Sequence, residues 1–179
     1  MKNQSLILSA LNLLIFGFIF FPVAAKAQIA DARFSASGGS RSKPLNTAAL
    51  ERRVFELVNQ TREENGLKRL VWNEQVARVA RLHSGNMANF NFFSHTGLDG
   101  KRVDARADAV GLRKWALIGE NIAYNSGFDN PVERAILGWM NSAGHRQNIL
   151  RDKWKETGIG IAVSPSGRFY ITQVFLKRN

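Results

Sequence analysis

The chain has 179 residues, no cysteine, three histidines and a formal net charge of +11. Disulfides, thiolate zinc sites and a cysteine nucleophile are therefore excluded. The basic balance favours anionic surfaces such as lipid headgroups or envelope polymers, but the arginines and lysines are scattered. With no dense basic run and no nucleic-acid motif, no specific nucleic-acid partner is expected.

The first element is a targeting segment. Lys2 precedes an apolar run from Leu6 to Phe21, Pro22 breaks it, and Ala25-Lys26-Ala27 follows. That is the pattern of a secretory signal peptide over 1–27. An uncleaved anchor is the alternative, but the run is short against the about 20 residues of a membrane span. After cleavage no stable membrane span is expected, so the mature protein is placed outside the inner membrane, periplasmic or extracellular. Residues 28–46, rich in Ser, Gly, Ala and Arg, lack apolar periodicity and read as a flexible leader. One folded domain is expected over 47–179, large enough to bury a core without staples.

Asn46-Thr47 offers an N-cap, and Leu50, Val54, Leu57 and Val58 follow at helical spacing until Asn65-Gly66. Asn73 is a second N-cap. Val76, Ala80, His83, Met87 and Phe90 then share one helical face, which favours a structural, buried His83. "FNFFSHTGLDGKR" reads as a loop, with a short helix over about 101–110 ending at Gly111. "WALIGENIAYN" carries no decisive period. Asn130-Pro131-Val132-Glu133 starts a helix whose apolar face is Val132, Ile136, Trp139 and Met140. Finally Ile159, Ile161 and Val163 alternate, Ser164-Pro165-Ser166-Gly167 turns, and Phe169, Ile171, Gln173 and Phe175 alternate again. This is an antiparallel hairpin. Helices first and strands last predict an α+β layered domain.

Chemistry is sought where histidines and carboxylates fall at element ends and in loops. His95 lies in "FFSHTG", Glu120 in "GENIA", and His145 just past the helix that begins at Pro131. Two imidazoles and a carboxylate are a sufficient ligand set for a divalent metal such as Zn²⁺. Each also has a purely structural alternative. His145 can fasten the preceding helix end, Glu120 a glycine-flanked turn, and His95 its loop. No Gly-x-Ser-x-Gly elbow or phosphate-binding Gly-rich loop occurs. Glu51, Glu56, Glu63 and Glu64 are expected on exposed helix faces, so no glycosidase-like acid pair is evident.

"HSGNMANFNFFSH", "GENIA", "GWMNSAGHRQNIL" and "TGIGIAV" occur in that order. Together they resemble the CAP superfamily, or SCP domain, in its bacterial exported branch, over about Leu50 to Phe175. The resemblance implies an α-β-α sandwich with a central antiparallel sheet. It also implies a cleft into which His95, Glu120 and His145 project, with Asn121 beside Glu120 as a further candidate ligand-binding residue. It implies a divalent metal in some members. The glutamate that many eukaryotic members carry three residues after the helix tryptophan is replaced here by Ser142. Three functions follow as expectations. The first is an exported module binding a lipid, sterol or envelope component. The second is a metal-dependent hydrolase using His95, Glu120 and His145. The third is a non-catalytic envelope interaction protein.

Overall fold

The computed structural model describes residues 45–179; the expected signal peptide and nearly all of the expected leader lie outside the described residues. The elements run α1 (Thr47–Glu64), β1 (Val71–Trp72), α2 (Glu74–Phe90), α3 (Val103–Ala109), β2 (Trp115–Asn125), α4 (Pro131–Asn141), α5 (Ala143–Ile149), β3 (Glu156–Val163) and β4 (Phe169–Arg178). Two of the expected caps form: Asn46 Oδ1 accepts from Ala49 N–H at 3.0 Å and Asn73 Oδ1 from Val76 N–H at 3.1 Å. Asn130 stands at the cap position of α4 but makes no side-chain cap bond, so Pro131 supplies the start signal there.

The four strands lie in the order β1-β3-β4-β2. The β3–β4 hairpin and the β2–β4 pair are antiparallel, and the two-residue β1 adds a short parallel edge on β3. Helices cover both faces, which is the expected α-β-α sandwich. Side-chain alternation along each strand assigns the faces. Ile159, Ile161, Ile171 and Phe175 pack with Val54 and Val58 of α1, Trp139 of α4 and Ile149 of α5. Val174 and Leu176 pack with Val76 and Ala80 of α2 and Ala107 of α3 on the other face.

Two glycines set how closely α2 approaches. A Cβ on Gly158 would lie 2.0 Å from the backbone nitrogen of Ala77, and one on Gly160 would lie 2.1 Å from that of Arg81. The helix backbone therefore rests directly on β3, a contact only glycine permits. On the same helix, Phe90 departs from expectation. It is 63 % exposed, because the packing of α2 ends at Met87 and Ala88 and Phe90 closes the helix beyond them.

Glu51 also departs from the expected exposed face. It is buried, accepts Ile161 N–H at 3.1 Å, and is held by both Nε and Nη2 of Arg81. The charge is offset by a forked partner and a backbone donor, the condition under which a buried carboxylate is tolerated.

"WALIGENIAYN" becomes the eleven-residue strand β2, paired with β4 from Trp115↔Arg178 to Asn125↔Phe169. As the outer strand it offers carbonyls to side chains of the following helices. Trp139 Nε1 donates to Ile122 O at 2.9 Å, and Asn148 Nδ2 to Glu120 O at 3.2 Å. These contacts blunt the edge against pairing with another chain.

Candidate functional site

Glu120 sits in the middle of β2 rather than in a turn, on the sheet face covered by α2 and α3. Its side chain is almost wholly buried and meets two cationic or proton-bearing partners. His95, in the loop after α2, brings Nδ1 to 2.8 Å from Glu120 Oε1. A carboxylate only accepts, so Nδ1 carries a proton toward Glu120, and in the neutral tautomer the lone pair lies on Nε2. Arg106 of α3 binds Glu120 Oε2 through Nη2, and its Nη1 donates to the carbonyls of His95 at 3.0 Å and Lys101 at 2.8 Å. Arg106 thus neutralises Glu120 and fixes both ends of the His95 loop.

Sequence reasoning missed Arg106. Its signal is an arginine in the apolar stripe Val103, Ala107, Val110 of a short helix, where a charge needs a buried partner.

His145 lies inside α5, three residues after Ser142, and not in a loop beyond α4. The chain breaks helix at Ser142, which adopts an extended conformation, and restarts at Ala143. His145 is therefore not a fastener of the α4 end: its Nδ1 is buried with no partner. Asn121, next to Glu120, points to the opposite sheet face and is fully buried. It is outside the cleft wall and positions α5 instead. Its Nδ2 donates to His145 O at 3.1 Å, and its Oδ1 accepts from Asn148 Nδ2 at 3.0 Å. Gly119 has a similar supporting role, since a Cβ there would lie 2.9 Å from the Trp154 ring.

The edge of β2 brings these groups together. A cleft of about 700 Å³ opens between the 95–104 segment, β2 and α5, with His95, Glu120, Ser142 and His145 on its wall. The two imidazoles face each other at 6.4 Å between centroids, tilted by 36°. Burial, followed by the neighbouring His95, holds His145 below the ordinary histidine range. His145 is thereby kept neutral near pH 7, with a lone pair available to a cation or a proton donor.

As a metal centre this set fits only in part. His95 Nε2 and a neutral His145 suit a divalent ion, and the Glu120 bond to His95 Nδ1 is the outer contact that orients a ligating imidazole. Glu120 does not fit as a third ligand, because both of its oxygens are engaged. Among the described residues no group of three His, Asp or Glu side chains is placed to hold a metal.

His83 is the buried structural histidine expected from its stripe. Its Nε2 donates to Ser94 O at 2.9 Å, next to His95 in sequence, while Nδ1 is buried without a partner. Burial lowers its pKa, against a smaller opposing pull from Glu120. Protonation would place a second N–H where there is no acceptor. With folded pKa values below the unfolded ones at both His83 and His145, the unfolded chain binds more protons below about pH 6.5. Stability is then full above that pH and falls as pH drops toward the folded values. Urea unfolding at pH 7.5 and pH 5.5 is expected to show this loss, and His83→Gln, which keeps the donor to Ser94, to reduce it. An unchanged pH slope in that variant would remove His83 as a cause.

The fold has counterparts among known proteins. The family model for the cysteine-rich secretory protein family (CAP) matches residues 55–175. The chain belongs to this family. It is 37 % identical over 138 residues to the uncharacterized membrane protein YlbC of Bacillus subtilis (strain 168), covering 76 % of this chain and 36 % of that protein. It is 35 % identical to the protein YkwD of the same organism over 125 residues, covering 70 % and 47 %. The chain thus spans less than half the length of these curated relatives. An extracellular SCP-domain protein from Bacillus anthracis str. Ames superposes with a TM-score of 0.66 at 30 % identity, covering 76 % of this chain and 45 % of that one. An outer surface protein of Borrelia burgdorferi shares the fold, with a TM-score of 0.68 at 17 % identity, covering 75 % and 97 %. Among the described residues no helix is long and apolar enough to cross a membrane.

Proposed function

We propose that the protein is exported and that its His95–His145 cleft binds a polar component of the cell envelope. The observation that carries this reading is the state of Glu120. Its carboxylate is consumed by Arg106 and His95, so it holds the cleft in shape and is no free base. What faces the cleft is two imidazoles among Arg102, Asp104, Gln147 and Asn148, with Val103, Trp115, Leu117 and Ile118 along the same wall. That mixed wall suits an envelope ligand that combines hydrogen-bonding groups with apolar surface. The signal-like N-terminus, the strongly basic composition and the extracellular setting of the Bacillus anthracis protein support export to such a surface.

Gly144 offers a test. It lines the cleft, and a Cβ there meets nothing within 4 Å, so a larger side chain projects into the cleft without disturbing the core. Native mass spectrometry of the exported full-length product is expected to show a small-molecule adduct that Gly144→Leu loses. A wild-type protein without any adduct, or an adduct retained in Gly144→Leu, refutes the cleft as a binding site.

A second reading, a metal-dependent hydrolase, draws on the carboxylate-oriented His95 opposite the neutral His145. Those two residues would hold an ion such as Zn²⁺, which supplies Lewis acidity when bound. Elemental analysis is expected to find a divalent ion in the wild type and to lose it in His145→Ala. Absence of metal in the wild type after purification without chelator ends this alternative.

A further inference from the structure

The floor of the His95–His145 cleft is the outer edge of β2, from Trp115 to Glu120. Which backbone groups that edge presents follows from its pairing with β4. In an antiparallel pair the N–H and C=O of one residue point the same way, and the direction alternates along the strand. Glu120 O and Ile122 O turn away from β4, since they accept from Asn148 Nδ2 and Trp139 Nε1. The register is unbroken from Leu117 to Asn125, so Ile118 turns away as well. Its neighbour on β4 agrees: Leu176 O is taken on the β3 side by Lys155 N–H, at 3.0 Å.

Three backbone groups therefore face the cleft: the N–H and C=O of Ile118 and the N–H of Glu120. Among the described residues no partner is found for any of them. The open stretch is short. Asn148 ends it at Glu120 O, and a register shift between Trp115 and Leu117 ends it on the other side. A donor and an acceptor on one residue, with a donor two residues on, are the repeat of a β-ladder. Another strand carries the complementary groups at that spacing, whereas a sugar ring or an acyl chain does not. The walls match a strand too, because its side chains would point alternately to the two sheet faces. One face meets Arg102, Val103 and Asp104, the other Gly144 and Gln147 of α5. The same walls exclude a second copy of this chain, whose own β2 carries an α5 and a 95–104 segment that would collide with them.

We infer that the cleft binds a short extended peptide segment, which joins the four-stranded sheet as a fifth strand beside β2 at Ile118 and Glu120. Ladder bonds supply the affinity, and the two walls select the alternate side chains. An extended peptide is one form of the envelope ligand proposed for this cleft, and its binding here rests on that reading.

The test is an NMR titration of the isotopically labelled full chain with acetyl-Val-Thr-Val-Thr-amide, a neutral strand former, followed by hydrogen exchange at saturation. The amides of Ile118 and Glu120 are expected to shift saturably and to exchange about tenfold more slowly or less. Those of Gly119 and Asn121 already face β4 and should keep their rates. The same peptide N-methylated at every residue has no ladder donors and is expected not to bind. Ile118→Pro removes one ladder donor without breaking a bond to β4, a place where an edge strand tolerates proline, and should abolish binding. Ile118→Val keeps the N–H and should bind as the wild type does. Should Ile118→Pro not fold, the alternating exchange pattern and the N-methylated peptide decide the matter. An adduct that Gly144→Leu loses, together with no shift from the peptide, would leave the cleft reading standing and refute strand addition. Equal binding of the N-methylated peptide, binding retained in a folded Ile118→Pro, or slowed exchange without the alternation would each overturn it. So would the same shifts produced by raising the protein concentration alone, which would assign the edge to a second copy.

Discussion

Gly160→Ala is expected to yield little or no folded protein, and Gly158→Ala the same. The added methyl group would lie 2.1 Å from a backbone nitrogen at Gly160 and 2.0 Å at Gly158, far inside any tolerable contact. The atoms it meets belong to the backbone of α2, so no rotamer change relieves the clash; the whole helix must retreat from β3. The two positions lie on adjacent turns of contact, so α2 cannot pivot about one to spare the other. Ordinary overpacking costs roughly 1–3 kcal/mol, with flexible side chains absorbing the strain. Here the cost is expected to exceed that range and to consume much of the about 5–15 kcal/mol that holds a domain together. Gly85→Ala is the control on the same helix. A Cβ there meets nothing within 4 Å, and replacing a helical glycine should stabilise by about 0.5–1 kcal/mol. Circular dichroism melts of the three variants decide it. A Gly160→Ala protein melting with the wild type would mean that the α2–β3 contact is not as close as described.

Arg106→Ala is expected to have the second largest effect, through Glu120. The Arg106 and Glu120 side chains are 10 % and 3 % exposed, and removing the guanidinium leaves a buried carboxylate facing only His95. Breaking a buried pair by deleting one partner costs about 3–5 kcal/mol, because the surviving charge keeps its desolvation penalty. The carbonyls of His95 and Lys101 lose the Arg106 donor as well, so the loop that carries His95 should loosen. Urea unfolding gives the first effect and hydrogen exchange over residues 94–101 the second. Adding Glu120→Gln to Arg106→Ala should recover part of the stability, since the neutral amide needs no counter-charge. A double variant no more stable than Arg106→Ala would place the loss elsewhere.

The two variants mark the limits of sequence reading. The helix starts at Asn46 and Asn73, the hairpin turn at Ser164 to Gly167 and the stripe Val76, Ala80, Met87 are legible, because each depends on groups close in sequence or on a simple period. β2 is not. It mixes Gly119, Glu120 and Asn121 into an apolar segment, and its strand character comes from pairing with β4, more than 40 residues later. Glu51 defeats sequence reading for the same reason: its partners, Arg81 and the Ile161 amide, are distant in sequence. His145 falls one element away from its expected place, because nothing local distinguishes a helix that ends at Asn141 from one that breaks and resumes at Ala143.

By itself the sequence determined the layered α+β character and the family resemblance, and it put forward His95, Glu120 and His145 as candidate cleft residues. These follow from periodicity, caps and ordered motifs that need no knowledge of distant contacts. Only the tertiary structure decided what those side chains do. It turned Glu120 inward to Arg106 and His95, set Asn121 behind the cleft wall as a brace for α5, and left His145 neutral beside His95. The physical reason is that burial and pairing fix the state of an ionisable group. Both are properties of neighbours that the fold supplies from far along the chain.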